Sequence, residues 1–151
     1  MGANGRRYGF SGAVTGAAAK SIAGVVGTTA VRPWIYDLMI SSVATPADNA
    51  SEWQVRRFTA AGTASTATAQ ALDSGDPGAV STANITYTVE PTYSTGSLLD
   101  LAHNQRATVR WVAAPGSELI GPASATNGIG IQCIAVGGSG VSEICSVLFG
   151  E

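Results

Sequence analysis

Charge is scarce in this chain. Asp, Glu, Lys and Arg together make up 12% of its 151 residues, about half the usual quarter, and Lys20 is the only lysine. The net charge is −2, and Arg6-Arg7 and Arg56-Arg57 are the only basic pairs. Phosphate binding needs clustered Lys and Arg, so nucleic acid is not expected as a partner. Long apolar runs are missing too. No stretch of about 20 strongly apolar residues occurs, so no membrane span is expected. The segment from Tyr8 to Ala19 lacks the Leu- or Ile-rich centre of a signal peptide and stops at Lys20. Helical periodicity is absent as well: no segment sustains apolar residues at i, i+3, i+4 and i+7, and Gly and Thr recur too often for long helices.

Chemistry-bearing residues are few. His103 is the only histidine, and the two cysteines, Cys133 and Cys145, show no CxxC spacing; neither a metal nor any other cofactor is expected. Each cysteine lies in an apolar strand, where a free thiol behaves as a small hydrophobe. A cross-strand disulfide is the alternative if one hairpin sets them opposite each other. Asp73 and Asp76, in Leu-Asp-Ser-Gly-Asp-Pro-Gly, offer oxygens to a cation but lack the ligand spacing of a calcium loop, and the same residues make turns. His103 with Asp100 could form a base and its orienting group, yet no serine sits in a Gly-x-Ser-x-Gly elbow. Gly128-Ile129-Gly130 opens no helix and is not a dinucleotide loop. Asn49 and Asn84 match the short glycosylation acceptor pattern. An enzyme is not expected.

What is present is apolar residue in strand-like packets. Apolar residues reach 45%, which excludes disorder driven by charge, and one domain of this length buries roughly two thirds of its unfolded surface. β-branched and aromatic residues gather in segments 20–27, 34–43, 52–59, 65–72, 83–90, 97–102, 106–113, 128–136 and 141–149, with Gly, Pro, Asp and Asn between them. The pattern predicts an all-β, jelly-roll-like antiparallel sandwich. An immunoglobulin arrangement is disfavoured, because both cysteines fall in the last two strands and all three tryptophans precede them. Strict alternation over 34–43 sets Trp34, Tyr36, Leu38 and Ile40 on one face and Ile35, Asp37, Met39 and Ser41 on the other. Both faces then carry apolar groups, as a strand covered by a neighbouring subunit would.

The glycine-rich residues 1–18 predict an extended N-terminal arm, and 19–151 the β-sandwich domain. Tyr8 and Phe10 beside Arg6 and Arg7 make two aromatic anchors next to two charges, a mix found at interfaces. These four are the expected capsid or subunit contacts, and Ile35, Met39 and Trp53 the expected subunit-interface residues.

The run Arg-Pro-Trp-Ile-Tyr-Asp (32–37) is followed by Ala-Thr-Pro-Ala-Asp-Asn (44–49), Val-Glu-Pro-Thr-Tyr (89–93), Asn-Gln-Arg-Ala-Thr-Val-Arg-Trp-Val-Ala-Ala-Pro-Gly-Ser-Glu-Leu (104–119) and Ala-Thr-Asn-Gly-Ile-Gly (125–130). This ordered set, spanning about 30–135, resembles the small single-jelly-roll structural proteins of tailed phages, of the head-decoration or cement type. The resemblance implies an oligomer, commonly a homotrimer, bound to the major capsid protein on the outside of the head, made in the host cytoplasm and carried in the virion. The alternative is a carbohydrate- or receptor-binding head of a tail fibre or spike, with Trp53, Tyr87 and Tyr93 stacking on sugar.

Overall fold

The computed structural model describes residues 5–151. Among them are thirteen strands: β1 (Arg7–Thr15), β2 (Ser21–Val26), β3 (Trp34–Ser42), β4 (Ala50–Ala60), β5 (Thr63–Ala67), β6 (Gln70–Ala71), β7 (Thr82–Val89), β8 (Thr92–Tyr93), β9 (Leu99–Asn104), β10 (Val109–Val112), β11 (Leu119–Ile120), β12 (Gly128–Val136) and β13 (Ser142–Gly150). They form two antiparallel sheets. Sheet A runs β10-β3-β13-β1-β6, with β11 also on β3, and sheet B runs β5-β7-β2-β12-β4-β8, with β9 also on β4.

Eight framework strands pair first with last throughout: β1 with β13, β2 with β12, β3 with β10, β4 with β9. Folding a chain back on itself in this way and rolling it gives the two Greek keys of a jelly roll. The fold class expected from the strand spacing is therefore the one observed. Residues 61–98 are an insertion between β4 and β9. Within it β7 and β5 extend sheet B beyond β2, and β6 covers part of the β1 edge, which shields edges that would otherwise be open.

Inward side chains of both sheets fill one core, including Phe10, Ile22, Ile40, Trp53, Val55, Ile131 and Phe149. Two expectations are corrected here. Residues 7–15 are not an arm. They form β1, in register with β13 from Arg7↔Gly150 to Thr15↔Ser142, and Tyr8 and Phe10 are buried against Phe149 with ring centroids 5.5 and 5.9 Å away. Glycine had suggested looseness, but Gly12 is a packing position: a Cβ there would lie 2.2 Å from the Ile22 carbonyl oxygen. Residues 1–4 of the expected arm lie outside the described residues.

The second correction is the phase of β3. Leu148 pairs with Asp37 but Phe149 pairs with Ile35, so Tyr36 is the extra residue of a bulge. The bulge turns Ile35 inward beside Leu38 and Ile40, all three essentially inaccessible. Ile35 and Trp53 are thus core residues rather than interface residues. Of the three expected at an interface, only Met39 is exposed, at 38%.

Cys133 and Cys145 sit on β12 and β13, in different sheets, so no hairpin sets them opposite each other. Both are free and buried. Burial pushes the Cys133 thiol up to about 11, with the nearby Glu143 charge adding to it, and the Cys145 thiol up to about 12.

Candidate functional site: the outer face of sheet A

The two outer faces of the sandwich are built differently. On sheet B, Gly24, Gly128 and Gly130 leave a flat floor on which Phe58, Tyr87 and Tyr93 lie. A Cβ on Gly24 would meet the Tyr87 hydroxyl at 2.2 Å, one on Gly130 the Tyr93 hydroxyl at 2.4 Å, and one on Gly128 the Phe58 ring at 2.6 Å. Phe58 and Tyr93 meet edge-on at 6.1 Å. The Arg56 guanidinium lies 5.3 Å from the Tyr93 ring centre and donates to Gln132 Oε1 and to the Ser94 carbonyl. The Tyr93 hydroxyl sits 2.8 Å from Ser21 Oγ, and Glu90 Oε2 accepts from the Ser21 amide. Tyr87 and Tyr93 of the insertion, with Phe58 of β4, thus cover this face of sheet B with an aromatic layer.

Among the described residues, sheet A has no such roof. Its registers place Gly9, Leu148, Asp37 and Val112 in one outward row and Ser11, Ser146, Met39 and Arg110 in the next. Leu148 and Leu72 flank Gly9, Trp34 lies over Gly150, and Trp34 and Tyr36 are in tilted contact at 5.4 Å. Val112 is 55% and Leu72 54% exposed. Charge on this face is sparse and mostly internally paired. Asp37 receives Arg110 through Nε at 3.0 Å and through a second guanidinium nitrogen at 2.6 Å, a bidentate pair in which Asp37 is buried. The Arg7 guanidinium lies 5.5 Å from the Tyr36 ring centre. An apolar, aromatic surface carrying a few fixed charges is the composition of the centre of a protein–protein contact.

The expected contact residues divide accordingly. Arg7 and Met39 both lie on this face, two outward rows apart, while Tyr8, Phe10, Ile35 and Trp53 lie beneath it in the core. Arg6 is exposed at the rim, 4.0 Å from Asp76, beside a shallow depression of about 440 Å³ lined by Gly5, Arg7, Leu72, Asp73 and Asp76. Asp73 and Asp76 serve a turn: Asp73 Oδ1 accepts from the Gly75 amide and its carbonyl from the Asp76 amide. Among the described residues no group of three or more His, Cys, Asp or Glu side chains comes together as a metal site would need. Sequence reasoning missed Trp34, Tyr36, Leu72, Val112 and Leu148 as surface residues; only the bulge at Tyr36 sends the first two outward.

A second cluster lies inside the sandwich. Glu143 on β13 is fully buried and reaches across to sheet B. Its Oε1 accepts from Ser51 Oγ and its Oε2 from Trp53 Nε1, each at 2.6 Å. His103 Nε2 faces Oε2 at 3.4 Å, a charge contact rather than a well-aligned hydrogen bond. His103 Nδ1 lies 3.0 and 3.1 Å from the carbonyl oxygens of Asn104 and Ala107. Glu143 raises the His103 pKa above its ordinary value, against the lowering effect of burial. Burial works to raise the Glu143 carboxyl, but contacts from His103, Ser51 and Trp53 outweigh it and hold it below the usual range. Serine, histidine and carboxylate meet here in the wrong order for nucleophilic catalysis: the hydroxyl donates to the carboxylate, and neither imidazole nitrogen reaches it. Asp100 points to the opposite face of β9 and accepts from Ser97 Oγ, so it does not orient His103.

No protein-family model, curated protein or solved structure matches this chain.

Proposed function

We propose that this chain is a virion structural protein, a decoration or cement module that binds the outer surface of a phage head and stabilises it as an oligomer. The observation that carries this reading is the asymmetry of the two faces among the described residues: aromatic side chains cover the glycine floor of sheet B, whereas sheet A leaves Met39, Val112 and Leu72 exposed and Tyr36 and Leu148 half-buried beside them. Burying such a surface against a capsid subunit removes apolar area from water at roughly 25 cal/mol per Å² before the costs of association. The jelly-roll topology, shared by capsid and lectin domains, and the ordered resemblance along 30–135 support the same reading. The low charge lets copies crowd on a shell without strong repulsion.

Of the three aromatics that the receptor-binding alternative would use, Trp53 is at 0% and Tyr87 at 8% exposure, and Tyr93 is half-buried, which favours the decoration reading. The test is particle binding with Met39→Asp and Val112→Asp. Both side chains are exposed, so the fold should survive, and two desolvated charges in the contact should weaken binding roughly a hundredfold or more. Undiminished decoration by the folded double variant would move the contact off this face.

A further inference from the structure

Four chain connections of the jelly roll meet at one end of the sandwich: 16–20, 43–49, 105–108 and 137–141. They are stitched to one another. The Gly16 amide donates to the Val141 carbonyl at 2.9 Å, the Gln105 amide to the Asn49 carbonyl at 2.8 Å and the Gly137 amide to the Ala50 carbonyl at 2.7 Å. Gln105 is 1% exposed; its Oε1 accepts from the Ala47 amide and its Nε2 donates to the Ser139 carbonyl. Gln105 lies two residues beyond His103, in the turn whose Asn104 and Ala107 carbonyls both face His103 Nδ1.

Two acceptors at Nδ1 require a proton there. If the imidazole were neutral, Nε2 would then point a lone pair at Glu143 Oε2. With both nitrogens protonated, one ring ties the 104–107 turn to a carboxylate on the opposite sheet. The ring faces Glu143 from β13, and around that carboxylate stand the neutral donors Ser51 and Trp53 from β4 and the Cys133 thiol on β12, protonated at neutral pH. Within the turn, Arg106 is exposed, and Asn104 turns its amide to Asp48. Among the described residues, Glu143 is therefore the one buried charge that answers the ring.

We propose that His103 and Glu143 form a charge-locked clasp holding the four-loop end of the sandwich in place, and that this end loosens when His103 gives up its proton. The clasp has a working window. Because Glu143 raises the folded-state pKa of His103, the stability it lends is present at lower pH and is lost as pH rises through that folded value. Because the Glu143 pKa is depressed, its share is present above the ordinary carboxylate range and is lost as pH falls through the lowered folded value. Within the window the loops are a fixed surface.

The test uses the full chain. As the only histidine, His103 gives ¹⁵N ring resonances free of overlap; both nitrogens should show the imidazolium pattern at the acid end of a titration whose midpoint lies above the ordinary histidine value. Hydrogen exchange of 43–50, 104–108 and 137–141, corrected for intrinsic rates, should then accelerate roughly ten- to a hundredfold as pH rises through the His103 titration, with β5 and β7 unchanged. In His103→Gln, which cannot titrate, the corrected loop exchange should be flat with pH. A His103 midpoint at or below the ordinary histidine value, loop exchange insensitive to the His103 titration, or the same pH response in His103→Gln would each overturn the proposal.

Discussion

Replacing Glu143 by alanine should be among the most damaging single substitutions in this chain. The carboxylate is completely buried, joins the sheets, and receives two 2.6 Å hydrogen bonds besides facing the imidazole at 3.4 Å. Its removal strands the Ser51 hydroxyl, the Trp53 indole N–H and a buried positive ring at once. Breaking a buried ion pair from one side costs about 3–5 kcal/mol, which for a domain of this length lowers Tm by roughly 6–20 °C. Glu143→Gln should cost less, since its carbonyl can still accept from one donor. In a double-mutant cycle with His103→Leu, the pair should show a coupling of roughly 1–3 kcal/mol. Urea and thermal unfolding followed by Trp fluorescence and circular dichroism read all four proteins. A Glu143→Ala loss below about 1 kcal/mol would refute the reasoning, because a buried carboxylate with these partners cannot be energetically idle.

Three further outcomes are expected. Tyr8→Ala and Phe10→Ala should each destabilise the fold by about 3–5 kcal/mol in chemical denaturation, and deleting 2–18 should abolish cooperative folding, because it removes β1 from beside β13. Gly24→Ala or Gly130→Ala should cost about 1–3 kcal/mol by overpacking, with relief from the matching Tyr87→Phe or Tyr93→Phe, whose hydroxyls stand where the new methyl would go. Cys133 and Cys145, buried and with thiols pushed up to about 11 and about 12, should resist a thiol reagent at pH 8 in the native protein and react fully in denaturant.

Much of the framework was legible in the sequence. Packets of β-branched and aromatic residues located β2, β3, β4, β7, β9, β10, β12 and β13 closely enough to imply a jelly roll. The segment 65–72 became β5 and β6, because the strand breaks at Thr68–Ala69 as it passes from one sheet to the other. β1 was hidden by its glycines. Gly9 and Gly12 suggest flexibility when taken one residue at a time, yet one lies under Leu148 and the other against the Ile22 carbonyl.

The faces of β3 were misassigned for a different reason. A bulge depends on how two strands pair, so alternation within β3 alone cannot reveal that Tyr36 is the extra residue. Glu143 did leave a signal: it shares the inward parity of Cys145, Val147 and Phe149, and a lone carboxylate there must find partners. Which partners they are depends on β4 and β9, distant in sequence and adjacent only in the fold.

The most direct measurement of the central claim is a cryo-electron microscopy map of particles carrying this protein. The expected map shows it on the outside of the head as an oligomer, with the face of Tyr36, Met39, Leu148 and Val112 covered by the major capsid protein. Density for this chain on a tail fibre, or on the head with sheet A facing solvent, would contradict it.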